Sequence, residues 1–149
     1  MGKRGEGWFI LQVLFFVVIV LTPRWSWLAL PDWLRWAGPV FLVMGGVLGT
    51  GGIIALGRNL TPFPKPIEGG SLVTHGVYAV VRHPIYAGLI MGTLGWSLWR
   101  TNLLGVGLAV VLFVFFDLKS RREERWLVEA YPGYSEYQRR VRKLVPWIY

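Results

Sequence analysis

Apolar residues run along this chain in four long blocks, with the polar residues collected between and after them. The first block runs from about Trp8 to Leu21, and a continuation through Trp25-Ser26-Trp27 would carry it to Leu30. The second runs from about Trp36 to Leu56, the third from about Pro84 to Trp99, and the fourth from about Leu103 to Phe116. Between Leu11 and Leu21 the only polar residue is Gln12. A helix of a water-soluble bundle would carry a polar stripe there. The pattern predicts an all-α, integral membrane bundle of about four crossing helices. Only the second block has the roughly 20 residues that span a bilayer unaided. The other three would rely on flanking Trp, Tyr and Arg as interfacial anchors.

After Phe116 the pattern changes without a break. No Gly or Pro interrupts the stretch from Asp117 to Glu129, so the last membrane helix is expected to continue into the cytoplasm. At 1.5 Å per residue, Asp117 to Glu124 covers roughly 10 Å, about two turns. Tyr131-Pro132-Gly133-Tyr134 reads as a turn. A short basic amphipathic helix is then expected from about Ser135 to Lys143. Tyr137, Val141 and Leu144 share one face, and Arg139, Arg140, Arg142 and Lys143 surround it, a membrane-surface anchor. The second block is rich in glycine. Gly45 and Gly49 form a small-x3-small pattern that predicts close helix packing. A phosphate-binding loop is not expected, because no strand precedes these glycines and no Lys-Ser/Thr follows them.

The 149 residues suit one domain, with residues 1–57 supplying the first two helices and 58–149 the half that carries chemistry. Only 16% of residues are charged, against about 25% in soluble domains. Nine Trp fit two membrane interfaces. The net charge of +8 points to anionic lipid headgroups rather than nucleic acid, because apolar blocks separate the basic clusters. The absence of cysteine excludes disulfides, thiol nucleophiles and iron–sulfur ligation by this chain, and no metal site is expected. Met1-Gly2-Lys3-Arg4 before an apolar run imitates a signal peptide, but without a small-x-small cleavage site a retained helix is expected. Four crossings put 13 of the 16 Lys and Arg on one side, leaving Arg24, Arg35 and Arg100 on the other. Both termini and the loop 57–83 are therefore expected in the cytoplasm, with the helices in a bacterial inner membrane.

The candidate chemistry gathers on that side. Gly76-Val77-Tyr78-Ala79-Val80-Val81-Arg82-His83-Pro84-Ile85-Tyr86-Ala87-Gly88 puts an arginine, a histidine and two tyrosines at the mouth of the third block. Polar groups at that depth are costly and usually functional. Each has a plain structural reading. Arg82 would snorkel, His83-Pro84 would start a helix, Tyr86 would sit in the interface, and Glu124 would pair with Arg121. Together these readings leave too many polar groups at one membrane face. The loop Arg58-Asn59-Leu60-Thr61-Pro62-Phe63-Pro64-Lys65-Pro66 is stiffened by alternating prolines and serves either as a rigid connector or as a lid.

Three motifs follow in order: Gly76-x-Tyr78-x3-Arg82-His83-Pro84-x-Tyr86-x-Gly88, then Glu123-Glu124-x2-Leu127, then Tyr134-x2-Tyr137-x3-Val141 ending in Pro146. With the Asn59-x-Thr61-Pro62-x-Pro64-x-Pro66 loop before them, this order resembles the isoprenylcysteine carboxyl methyltransferase family. The wider group includes membrane phospholipid N-methyltransferases. The resemblance covers about residues 56–149, and the first two helices match only in hydrophobicity.

It implies S-adenosylmethionine bound at the cytoplasmic end of the last two helices, without the soluble Rossmann-type fold. The chain indeed has no strand–glycine-loop–helix unit. By that resemblance the cofactor is held by Tyr78, Arg82, His83, Tyr86, Gly88 and Glu124, with Tyr134 and Tyr137 closing over it, and Arg82 and Glu124 are the catalytic pair. The residue types suit the ligand. Arg82 or His83 can hold a carboxylate, Glu124 can accept from ribose hydroxyls or pair with an ammonium, and tyrosine faces suit adenine and sulfonium. Glu124, three residues before Leu127, is preferred over Glu123 for the inward position.

The implied acceptor is lipophilic, such as a prenylcysteine-like carboxylate, for which proximity and water exclusion suffice. An amine acceptor, as in a phospholipid N-methyltransferase, would need a base such as His83 or Glu124. Two further readings stay open: an NADPH-dependent membrane reductase whose 2′-phosphate meets the Arg139–Lys143 cluster, and a non-catalytic lipid-binding protein. Tyr131-Pro132-Gly133-Tyr134 replaces the family's Phe-Gly turn, and the short front end leaves the acceptor open.

Overall fold

The structure, a computed structural model, describes residues 6–21, 30–61, 63, 65–67 and 69–149. Among the described residues there are four long α-helices and one short one: α1 (Glu6–Leu21), α2 (Ala37–Leu56), α3 (Pro84–Trp99), α4 (Leu103–Ala130) and α5 (Tyr134–Arg140). Short 3-10 turns at Asp32–Trp36, Gly57–Asn59 and Gly76–Ala79 flank them. No strand occurs among the described residues, only a parallel bridge between Val81 and Arg142.

Local chemistry sets the helix ends. The third block begins with Pro84 at the first helical position, where its missing N–H costs nothing. His83 before it is held out of the helical region. Asn102 caps α4 by accepting from the Gly105 amide at 3.3 Å. α2 ends at Gly57 with φ +49°, a conformation open to glycine. α4 then runs unbroken from the apolar block into the charged segment, as the sequence predicts.

α2 and α3 pack antiparallel through glycine. A Cβ at Gly88 would lie 2.6 Å from the Gly45 carbonyl oxygen, and one at Gly95 2.7 Å from that of Gly38. α1 leans on α4 through aromatic contacts, with Trp8 and Phe15 each packed against Phe115. The outer faces of α1 and α2 are apolar and open, with Val20 71%, Val43 66% and Ile54 78% exposed. The stretches Asp32–Asn59 and Leu103–Ala130 are long and apolar enough to cross a membrane. α1 and α3, at 16 residues each, are shorter.

One element departs from the expectation. The last helix stops at Arg140 instead of reaching Lys143. Residues 141–143 turn extended because the carbonyls of Arg142 and Lys143 accept from the amides of Arg82 and His83, at 2.8 and 3.1 Å. Those amides precede α3 and need acceptors. Lys143 is also buried, donating to Asp117 Oδ1 at 2.6 Å, so it is not one of the outward cations the amphipathic pattern assigned to this helix. Pro62, Pro64, the Trp25–Trp27 continuation and the basic residues 3 and 4 lie outside the described residues.

Candidate functional site

The polar half of α4, the start of α3 and α5 converge on Glu124. Arg82 donates from Nε to Glu124 Oε1 at 2.7 Å, and His83 Nε2 lies 3.1 Å from the same oxygen. Gln138 donates to Oε2 at 3.0 Å, and the Tyr134 hydroxyl approaches Oε1 at 3.4 Å. Burial opposes ionisation of Glu124, but the hydrogen bonds and charges of His83 and Arg82 outweigh it and hold the carboxyl at about 2. Glu124 is therefore a fixed anion at neutral pH.

Arg82 ties three elements together. Besides Glu124, its Nη1 donates to the carbonyls of Gln138, at 3.1 Å, and of Val141. Nη2 has no partner among the described residues. Arg82 is thus turned inward rather than snorkelling, and Arg121 pairs with Asp117 rather than with Glu124. The Tyr137 hydroxyl donates to the Tyr78 carbonyl at 2.6 Å, fastening α5 to the segment before α3. Burial above all raises the phenols of Tyr78, Tyr134 and Tyr137, so all three remain neutral hydroxyls.

Beside this clasp lies a cavity of about 330 Å³. Tyr78, Arg82, His83, Tyr86, Tyr134 and Tyr137 all line it. Its remaining walls come from the middle of α1, the C-terminal end of α2, the loop after α2, including Thr61, Phe63 and Ile67, and the charged part of α4. The loop is therefore a connector that also roofs the cavity. Tyr86 stands between two rings, stacked on His83 at 5.4 Å and on Phe116 at 4.6 Å, and its hydroxyl donates to Glu123 Oε2 at 2.7 Å.

Two placements refine the sequence reading. Glu123 lines the cavity, whereas Glu124 stands behind the wall and holds Arg82 and His83. Gly88 is not brought to the cavity: it sits in the α2–α3 contact, where its missing side chain admits Gly45 and Gly49. The motifs alone did not point to Gln138, Lys119 or Gln12. Gln12 and Lys119 line the cavity and bond each other at 2.6 Å. A signal for Gln12 was present, as the lone polar residue in the apolar run of α1. Lys119 carried one as well, four residues before Glu123 on the same helix.

An apolar groove between α1, α2 and α3 adjoins the cavity, the two sharing Ile53 and Ile85. Among the described residues no group of His, Asp and Glu is arranged to hold a metal.

Comparison with known proteins agrees with this architecture. The family model described as phospholipid methyltransferase matches residues 33–133. Protein-S-isoprenylcysteine O-methyltransferase B of Arabidopsis thaliana is 32% identical over 120 residues, covering 78% of this chain and 61% of that protein. The human protein-S-isoprenylcysteine O-methyltransferase is 30% identical over 128 residues, covering 83% of this chain and 45% of its own length. The solved structure of the eukaryotic intramembrane Ras methyltransferase ICMT superposes with a TM-score of 0.70 at 27% identity, over 94% of this chain and 48% of that one. The chain thus spans between 45% and 61% of the length of these relatives.

Proposed function

As the chain belongs to the phospholipid methyltransferase family, we propose that it is a membrane enzyme that methylates a lipophilic acceptor from S-adenosylmethionine. The observation that carries this reading is the adjoining, at Ile53 and Ile85, of a cavity that holds tyrosines and charged side chains and an apolar groove. The cavity's volume of about 330 Å³ lies within the range of small-molecule sites, about 300–1,000 Å³. Its chemistry suits the cofactor: tyrosine faces for an adenine or a sulfonium, Glu123 for hydroxyls or an ammonium, and Arg82 with Nη2 uncommitted for a carboxylate. When bound, S-adenosylmethionine supplies an electrophilic methyl group.

The chain's own residues supply geometry and dryness. Glu124 holds Arg82 and His83 in one orientation, so the wall they form needs no reorganisation when ligand arrives. α5 with Tyr134 and Tyr137, and the loop around Phe63, keep water from the reacting groups. Glycines of α2 and α3 line the groove, leaving room for the hydrocarbon part of the acceptor. An acceptor carboxylate needs no base, which fits a cavity whose own carboxylate, Glu123, accepts from the Tyr86 hydroxyl while Glu124 behind the wall is committed to ion pairing.

In this reading α1 to α4 each cross the bilayer and the cavity opens at the cytoplasmic face, where most of the cations lie. The short α1 and α3 would then require local thinning or anchoring. Arg139, Arg140 and Arg142 are exposed and available to anionic headgroups. None of the three lines the cavity, so a 2′-phosphate finds no arginine cluster there and the reductase reading gains no support. The test is calorimetric binding of S-adenosylhomocysteine to the detergent-solubilised chain, beside Glu124→Ala and His83→Ala. Micromolar binding by the wild type, lost in both variants, is expected. A folded wild type that binds none, and binds NADPH in its place, overturns the reading.

A further inference from the structure

Lys119 is the least expected residue in the molecule. It is 1% exposed, on the cavity-facing side of α4 just beyond the apolar cluster of Ile19, Leu112, Phe115 and Phe116. A buried ammonium has three donors to satisfy and ordinarily takes a carboxylate partner. Among the described residues Lys119 has one hydrogen bond, to the neutral Gln12 Oε1 at 2.6 Å. Its remaining contacts are the π faces of Tyr86 and Phe116, at 5.0 and 5.9 Å. Glu123, one turn along, forms no ion pair with it and instead accepts from the Tyr86 hydroxyl at 2.7 Å. The other two carboxylates in the middle of α4 are committed: Asp117 to Lys143 and Arg121, and Glu124 to Arg82 and His83. A cation is therefore placed in the cavity wall with donors to spare and, among the described residues, no carboxylate in ion-pair contact with it.

We infer that Lys119, positioned by Gln12 and the Tyr86 ring, receives the carboxylate of the lipophilic acceptor. The inference rests on the methyltransferase reading above and specifies its acceptor site. Two carboxylates are chemically eligible, the acceptor's and that of the cofactor's amino-acid end. Position favours the acceptor. The Lys119 ammonium, bonded to Gln12, faces the rings of Tyr86 and Phe116, and Phe116 belongs to the apolar cluster of α1 and α4. Arg82, by contrast, is bound to the α5 side, its Nη1 donating to the carbonyls of Gln138 and Val141. An acceptor whose chain occupies the groove beside Phe16, Ile53 and Ile85 would bring its head group to the Lys119 side of the cavity. A cationic amine acceptor would be repelled at this point, so the same residue selects acid over amine.

The experiment measures binding in the absence of any methyl donor, on the full chain in detergent. The probes are N-acetyl-S-farnesylcysteine, its methyl ester and S-adenosylhomocysteine, with wild type, Lys119→Met, Lys119→Arg and Gln12→Leu compared. The expected result is acid binding weakened on the order of 10-fold or more in Lys119→Met, as for a lost charge-assisted hydrogen bond. Ester and S-adenosylhomocysteine binding should remain unchanged, Lys119→Arg should retain most of the affinity, and Gln12→Leu should show a smaller loss. Equal weakening of acid and ester would mean a structural role and overturn the inference. Weakening of S-adenosylhomocysteine alone would give Lys119 to the cofactor's carboxylate and overturn it too. A wild type that binds S-adenosylhomocysteine but not the acid defeats this inference alone. One that binds neither defeats the methyltransferase reading with it.

Discussion

α3 is held in two different ways along its length. Toward its middle and C-terminus it meets α2 through glycine, backbone against backbone, with no polar side chain mediating the glycine contacts. At its N-terminus it is held by ions and hydrogen bonds: Arg82 and His83 to Glu124, and their amides to the carbonyls of residues 142 and 143. The first contact depends on shape and is indifferent to pH. The second depends on charge, joins residues more than 40 apart in sequence, and surrounds the cavity. One part of the helix is therefore fixed by shape and the other by charge.

The largest effect should come from the ionic end. Glu124→Gln should lower stability at pH 7 by about 3 kcal/mol, the equivalent of a carboxyl moved from 4.5 to about 2. The sign follows from the depressed value. In the wild type this contribution is complete above about 4.5 and is lost as pH falls toward about 2. Denaturation of the wild type in detergent micelles should show that decline, and the variant should lack this component. A variant with an unchanged acid limb would remove Glu124 from the clasp.

Next comes the glycine contact. Gly88→Leu places a side chain against backbone atoms at 2.6 to 2.8 Å and should cost about 1–3 kcal/mol by overpacking. Its melting temperature should drop equally at pH 3 and pH 7, which separates it from Glu124→Gln, whose deficit should shrink at pH 3. Tyr137→Phe removes one buried hydrogen bond to the Tyr78 carbonyl and should cost about 1 kcal/mol. It should also weaken S-adenosylhomocysteine binding more than it weakens the fold, since α5 covers the cavity. Smallest and opposite in sign is Gly46→Ala. Nothing lies within 4 Å of a Cβ there, so the helix should gain about 0.5–1 kcal/mol. A loss at Gly46 would mean that this face is packed and not part of the open groove.

The helices were legible because their causes are local. The block from Pro84 to Trp99 became α3 at those residues, and the unbroken run past Phe116 became the long α4. Most of the motif residues also met at one cavity, since Tyr78, Arg82, His83 and Tyr86 share one short segment. What the sequence pattern misread were residues whose surroundings come from elsewhere. Lys143 looked like an outward cation, but Asp117 lies 26 residues away in the chain and beside it in space. Gly88 looked like part of the motif's chemistry because it stands in its spacing, yet its neighbours belong to α2. The division of labour between Glu123 and Glu124 turned on a rotation of 100° about one helix axis, which only the positions of Arg82 and Tyr86 define.

The sequence by itself determined that this is an all-helical chain with apolar outer faces and one polar end. Hydrophobic period, helix caps and proline positions act over a few residues and need no partner. Tertiary structure alone decided which charges face one another, which glycines are contacts, and that a lysine and a glutamine from the first and last long helices stand together in the cavity wall. The physical reason is that desolvation and ion pairing depend on neighbours in space, and Gln12 and Lys119 become neighbours only when α1 closes on α4.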